Sequence, residues 1–364
     1  MASEPSAPSA RPRAKDGLDL SKNWESIWYP DRPEGWARRA ALSPLSLPAL
    51  LFRAGVGLRD AAYSRGWLRA VSIEEASVIS IGNLNVGGTG KTPAVIYLAN
   101  LLVDAGRRVA VLSRGYGRKS RGVVRLTAAD EIEAETSGDE PLLIARRCPK
   151  AVVWVGRDRV ELARRARRED GVDLFLLDDG MQYRRLRKNL EIAVVDEAVG
   201  LGNGRLLPRG PLREPAAALA RADLLWIRSS GERPFETAGR ASIRARYAPG
   251  AALSPAADEL APSAIRDRAV YAFAGVARPN RFLRTLGGLS ARVVGARFFP
   301  DHHRFSGEEL QRLLDEAKAV KAEMLITTEK DRVRLPRGFP AWAIRIEVEI
   351  VEGADILSQR LAIL

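Results

Sequence analysis

The chain of 364 residues is poor in cysteine, histidine and aromatic residues: it has one cysteine and two histidines, and Phe, Trp and Tyr make up 6% of it. A single cysteine, Cys148, excludes an intrachain disulfide and fits a reducing compartment. Beside Pro149, its plain role is packing. So few thiols and imidazoles argue against a His/Cys zinc site. Nowhere do the ~20 apolar residues of a bilayer-spanning helix run together. The nearest stretch, Ala40 to Leu58, is interrupted by Pro44, Pro48 and Arg53. Acidic residues are the scarcer charge, 45 against 58 Lys and Arg, for a net charge of +13. That excess favours phosphates, nucleic acids or acidic lipid surfaces without choosing among them. A plain preference for arginine in an Arg- and Ala-rich sequence accounts for it equally well.

What is present divides the chain. Residues 1–23, rich in Pro, Ser and Ala, read as a disordered extension rather than a signal peptide. Residues 24–73 are aromatic and basic, with Trp24, Trp28, Tyr29, Trp36, Phe52, Tyr63 and Trp67 among arginines. There Leu47, Leu50, Leu51, Ala54, Leu58, Ala61 and Ala62 recur at helical spacing. Such a stripe suits either an interfacial membrane helix or a helix packed on the core. Residues 74–230 alternate short apolar runs, such as Ser77 to Ile81, Val109 to Leu112 and Leu174 to Leu177, with helical stretches such as Pro93 to Ala105. This pattern predicts a parallel sheet covered by helices on both faces. The Pro, Gly and Ala content of residues 231–262 marks a linker. Residues 263–364 repeat the theme as a smaller α/β domain, with a capping box at Ser306 and Glu309.

The strongest local signal is Asn85-Val86-Gly87-Gly88-Thr89-Gly90-Lys91-Thr92, lying between an apolar strand and a helix. Its glycines let backbone N–H groups close around phosphate oxygens. In that context Lys91 reaches the outer phosphates and the Thr92 hydroxyl holds Mg²⁺. Asn85 stands where the loop usually has glycine, and asparagine tolerates left-handed backbone. A second signal, Leu174-Phe175-Leu176-Leu177-Asp178-Asp179-Gly180, ends a buried strand in acid, as a metal-side carboxylate requires. In Gly138-Asp139-Glu140-Pro141, Asp139 suits either a proton acceptor or a helix N-cap. His302 and His303 end a loop, where either could tune such a base or satisfy a turn. Arg213 and Glu214, in a Gly- and Pro-rich loop, could neutralise phosphate charge and support the metal. Ser113 to Arg118 follow a strand at the sheet end where ligands bind. Arg184, Arg185, Arg187 and Lys188 offer a second anion site.

Together these segments resemble the tetraacyldisaccharide 4′-kinase family, from about Trp24 to the C-terminus. The resemblance rests on Ile81 to Pro93, Leu112 to Gly117, Gly138 to Pro141, Asp178 to Gln182, Gly210 to Glu214, Asp301-His302 and Thr328 to Asp331, in family order. It implies two Rossmann-like α/β/α domains, the first of the P-loop type, with an N-terminal amphipathic helix dipping into the membrane. It implies transfer of the ATP γ-phosphate, with Mg²⁺, to the 4′-hydroxyl of a tetraacyldisaccharide 1-phosphate, the lipid A precursor. Asp139 then matches the catalytic carboxylate and His302 its partner. Lys91 and Arg213 match the phosphate-contacting positions, and Thr92, Asp179 and Glu214 the metal-associated ones. Thr328 to Asp331 would approach the nucleotide. The implied protein is a monomer with no nucleic-acid partner, peripheral at the cytoplasmic face of the bacterial inner membrane. Met181 departs from the family pattern, where an aromatic residue is expected.

The rival reading is a P-loop ATPase or GTPase of the switch or partitioning type acting on a protein. Val86 stands where such motors carry a lysine, and Thr328-Glu329-Lys330-Asp331 lacks the spacing of a guanine-reading motif. A basic module binding nucleic acid does not need the phosphate loop or the paired acids.

Overall fold

The computed structural model describes residues 24–30, 34–231 and 234–364; the N-terminal extension lies outside them. The chain opens with three helices, α1 (Trp24–Trp28), α2 (Trp36–Ala41) and α3 (Ser46–Ser64). Next come β1 (Ser77–Gly82), α4 (Lys91–Asp104), β2 (Val109–Ser113), β3 (Val124–Leu126), α5 (Ala134–Ser137), α6 (Asp139–Arg147), β4 (Val152–Val155), α7 (Arg159–Asp170), β5 (Leu174–Asp178), β6 (Leu190–Asp196) and β7 (Leu224–Arg228). The rest holds β8 (Ser242–Leu253), β9 (Glu259–Leu260), β10 (Ala269–Ala274), α8 (Pro279–Gly288), β11 (Arg292–Phe298), α9 (Gly307–Ala319), β12 (Met324–Thr328), α10 (Glu329–Arg332), β13 (Ala341–Glu352) and α11 (Ala354–Ala362).

All strands join one sheet in the order β11-β10-β12-β13-β8-β7-β6-β1-β5-β2-β4-β3, with β9 on β8. Pairing is parallel except at β13–β8, β3–β4 and β8–β9. Two parallel α/β units therefore meet along one antiparallel seam. The Pro- and Gly-rich stretch read as a linker holds β8, a 12-residue strand paired with β7 on one side and β13 on the other. After β13 the chain returns to the first unit, where Leu357 of α11 joins its core and the Ser77 hydroxyl donates to the Leu364 carbonyl at 2.8 Å.

Strand periodicity builds the layers. Ile79 and Ile81 of β1 pack with α4 and α6 on one face, while Val78 packs with α7 on the other. Cys148 is buried in that core, and burial pushes its thiol up to about 12, as expected of a packing residue. Parallel strands place their C-terminal ends together, and register sets the detail. Ile81 pairs with Asp178, and Leu112 with Leu177. The loop after β1, the acids that end β5 and the turn after β2 thus share the C-terminal edge of the first unit, while the turns after β10, β11 and β12 gather at the C-terminal edge of the second, whose strands run the opposite way across the seam.

Helix α3 inverts the usual polarity. Leu47, Leu50, Leu51 and Leu58 are all at least 60% exposed, and of its described side chains only Val56 is buried. Two of its three charged residues turn toward the protein instead: Arg59 pairs with Glu214, and Asp60 with Arg184 at 2.6 Å, while Arg53 is exposed. Among the described residues no helix is long and apolar enough to cross a membrane.

Candidate active site

The phosphate loop spans the gap from β1 to α4. Gly90 caps α4 with a left-handed φ of 94° and no room for a side chain, since a Cβ there would meet Tyr247 Cε2 at 2.6 Å. A Cβ on Gly87 or Gly88 would meet nothing within 4 Å, so the loop is open where a phosphate chain would lie. Tyr247, on β8, donates its hydroxyl to the Gly90 carbonyl at 2.7 Å and so ties the loop to the seam. Asn85 serves a purpose other than left-handed backbone. It keeps a negative φ, pairs with Leu212, and donates its buried amide to the Gly200 carbonyl at 3.0 Å.

Both acids at the end of β5 face this loop, in different settings. Asp178 is buried and accepts from the Ser113 hydroxyl at 2.9 Å. Burial first, then the charges of Glu140 and Asp179, push it up to about 7 against the pull of Lys91. Asp179 turns out of the strand on a left-handed φ of 55°. Arg213 grips it with two bonds of 2.7 and 2.8 Å, and Lys91 Nζ lies 3.5 Å away. Burial opposes its charge, but Lys91 and then Arg213 hold its carboxyl well below the usual range. Asn83 is the hub between them. Its side-chain oxygen accepts from Lys91 at 3.0 Å and from Arg213, while its amide donates to the Asn85 carbonyl and the Thr89 hydroxyl.

Across the cleft, Asp139 begins α6 after Gly138, whose φ of 93° leaves the chain no L-residue alternative. The N-cap is Gly138, and Asp139 is the first residue inside the helix. The Asp139 carboxylate accepts from His302 Nδ1, at 2.9 and 3.2 Å, and Arg334 Nε lies 3.7 Å away. Burial alone would raise its pKa, but the His302 hydrogen bond and the charges of Lys330 and Arg334 bring it down to about 2. His302 is held on a left-handed φ of 60°, with Tyr116 packed against its ring at 5.6 Å. His303 takes the other role weighed for these residues: it bonds Glu309 at 3.0 Å and stacks on Phe299. Beside this pair the loop after β2 walls a cavity of about 580 Å³, lined by Arg114, Tyr116, Arg118, Arg121 and Arg157.

The chain as a whole is similar to known proteins. The family described as tetraacyldisaccharide-1-P 4′-kinase matches residues 38–362. The chain belongs to that family. The tetraacyldisaccharide 4′-kinase of Anaeromyxobacter sp. (strain K) is 46% identical over 93% of this chain and 94% of its own. That of Syntrophus aciditrophicus (strain SB) is 39% identical over 84% and 88%. A crystal structure of LpxK from Aquifex aeolicus in complex with ATP superposes with a TM-score of 0.75 at 32% identity, covering 89% of this chain and 98% of that one.

Within the family frame, two expected assignments meet a different geometry. Glu214, expected on the metal, is fully buried, and its two oxygens are taken by Arg59 of α3 and by Arg221. Its neighbour Arg213 is the residue that reaches Asp179. Thr328 to Asp331, expected near the nucleotide, cap and form α10 on the base side. Thr328 accepts from the Asp331 backbone, Asp331 accepts from the Gly275 N–H at 3.0 Å, and Lys330 reaches His302. Arg184 is engaged by Asp60 and packs over Tyr63, so it is not free for a second anion. Met181 fills an apolar cluster with Leu84 and Leu212, and its Cβ would be 2.4 Å from any Cβ placed on Gly82. That contact leaves no room for a side chain on Gly82. Sequence reading did not single out Asn83, Tyr247 or Arg334, and it held Lys330 only within Thr328 to Asp331, a segment expected at the nucleotide. Asn83 sits inside the most specific motif and was open to discovery there; the others act from distant strands and helices.

Proposed function

We propose that this protein transfers the γ-phosphate of ATP to the 4′-hydroxyl of a tetraacyldisaccharide 1-phosphate. One observation carries the reading: a phosphate loop with its cationic hub faces, across one sheet edge, a buried Asp139–His302 pair that a nucleotide switch has no use for. The site suits ATP with Mg²⁺. Among the described residues no three His, Cys, Asp or Glu side chains gather to hold a metal alone. Mg²⁺ is usually held mostly by phosphates and water with one or two protein groups, and here Thr92 and Asp179 would be those groups. Bound there, Mg²⁺ would offset charge on the β- and γ-phosphates.

The chain's own residues do the rest. The loop N–H groups and the α4 N-terminus cradle the phosphates. Lys91 and Arg213, held in readiness by Asn83 and Asp179, supply positive charge where the transferred group gathers negative charge. Asp139 is ionised at neutral pH, so it can orient the attacking hydroxyl and accept its proton late in a loose transition state. The arginine-lined cavity beside Tyr116 supports an anionic acceptor.

The same reading sets the protein on the cytoplasmic face of the inner membrane, as a peripheral protein. The outward leucines of α3 support this, since each contributes about 1.5–3 kcal/mol when fully withdrawn from water. The test is transfer of labelled γ-phosphate from Mg-ATP to tetraacyldisaccharide 1-phosphate in detergent micelles. Labelled lipid that disappears with Lys91→Ala is the expected result. ATP turnover without labelled lipid would return the protein to the wider P-loop class with another acceptor.

A further inference from the structure

Lys330 stands at the far end of the Asp139–His302 pair, and none of the chemistry above uses it. Its ammonium nitrogen lies 3.2 Å from His302 Nε2, 3.2 Å from Glu140 Oε1 and 3.4 Å from Asp301 Oδ1. An ammonium has three protons to donate and no lone pair. Three acceptors therefore match three donors, and the imidazole nitrogen is one of them only if it carries no proton. The proton of a neutral His302 then sits on Nδ1, the nitrogen that faces the Asp139 carboxylate. Both ends of the ring demand the same tautomer.

We infer that Lys330 is a positioning residue for phosphoryl transfer: it donates to His302 Nε2 and thereby keeps the imidazole neutral, with its one proton directed at Asp139. The inference deepens the kinase reading and rests on Asp139 as the base. Without Lys330, Nε2 would face Asp301 at 3.8 Å and Asp139 would remain at Nδ1. Two carboxylates would then favour the imidazolium. An imidazolium beside Asp139 would hold the carboxylate as an ion pair and weaken it as a proton acceptor.

The surrounding charges pull His302 both ways, with a net upward shift set first by Asp139 and opposed by Lys330. The groups facing the ring are Tyr116 from the loop after β2, Asp139 from α6, Asp301 from its own loop, and Lys330 from α10, with Glu140 beyond the lysine and Arg334 beyond Asp139. The Asp139 hydrogen bond raises the His302 pKa, while burial and the Lys330 charge lower it. Burial opposes the Lys330 charge, but Glu140, Asp301 and Asp139 more than compensate, so the lysine stays protonated.

The chain has only two histidines, so ¹⁵N-histidine labelling of the full-length protein in detergent gives a spectrum of two rings. His302→Asn assigns them. Without substrate, wild-type His302 is expected to show a bare Nε2 and a protonated Nδ1. In Lys330→Met its titration midpoint should rise by ~1 pH unit, as expected for loss of a neighbouring like charge. The acid limb of kcat should move the same way with KM for ATP unchanged, and Lys330→Arg should restore part of the wild-type behaviour. A proton on Nε2 in the wild type overturns the inference, and so does an unchanged midpoint in Lys330→Met. Because the spectrum needs no turnover, absent lipid phosphorylation with the expected tautomer would count against the kinase reading alone.

Discussion

The two walls of the cleft are built in different ways. The phosphate wall comes from one unit, from adjacent strands and the loops directly after them: Asn83, Lys91, Asp179 and Arg213 all lie between β1 and β7. The base wall is composite. Asp139 comes from the first unit, while His302, Lys330 and Arg334 come from the second. The phosphate wall can therefore hold its geometry whatever the second unit does, but the base is complete only when both units are in register. Binding of a nucleotide and competence to transfer its phosphate are thus separable in this architecture.

That separation can be tested from the largest effect downward. Asp139→Asn should lower kcat by ~10²–10⁴-fold, the usual contribution of acid–base catalysis, and leave ATP affinity within a few fold by equilibrium binding. A matching loss of affinity would merge the two walls. Lys91→Ala should cost ~10²–10³-fold in kcat/KM by removing one preorganised donor to the phosphoryl group, and it should weaken ATP binding as well, which Asp139→Asn should not. Glu214→Gln sharpens the assignment within the phosphate wall. If Glu214 holds α3 in place through Arg59 and the chain around Arg221 through its second oxygen, thermal unfolding of Glu214→Gln should show a loss of roughly 1–3 kcal/mol, below the range for fully buried pairs because both arginines are partly exposed. A shift in Mg²⁺ requirement with unchanged Tm would restore it to the metal. The smallest effect is in pH. His302 has a raised pKa in the folded chain, so its stabilising contribution is full below about pH 6.5 and fades as pH rises through the folded value. The Tm difference between wild type and His302→Asn should accordingly be larger at pH 6 than at pH 9.

The contrast between walls also explains what was legible in the sequence. The phosphate wall is local. A strand, a glycine loop and a helix start lie within a dozen residues, and the acids end an apolar run, so periodicity and turn chemistry expose both. The parallel units were legible for the same reason, since buried strands read as apolar runs between helices. The base wall joins residues 163 apart, a pairing that no local pattern encodes; only the resemblance pointed to it. Lys330 lay in a segment, Thr328 to Asp331, that the resemblance set near the nucleotide, and nothing local places it beside His302. The role of β8 was concealed by composition, since Pro249 and Gly250 within it argue for a break, whereas Ile243 and Ala245 bury against the core and β13 pairs along its length. The inverted polarity of α3 shows that an apolar stripe marks a face without saying which way it turns; the ion pairs of Arg59 and Asp60 decide that.

The seam of β8 and β13 has a mechanical consequence. The chain leaves the first unit along β8 and returns to it along β13, so the second unit is a long excursion carried on two side-by-side strands. A single link could swivel or stretch. A paired ribbon, with its ladder bonds fixed, resists sliding and twisting and yields mainly by bending across its width. Its length therefore acts as a ruler. Deleting one residue from β8 alone would put its side chains on the wrong faces of the sheet and move Tyr247 off the phosphate loop. Removing two matched pairs from both strands, which keeps every side chain on its own face, would instead shorten the ruler by about 6.8 Å and draw the His302 loop out of reach of Asp139, leaving each unit folded around a cleft that no longer closes on its own base.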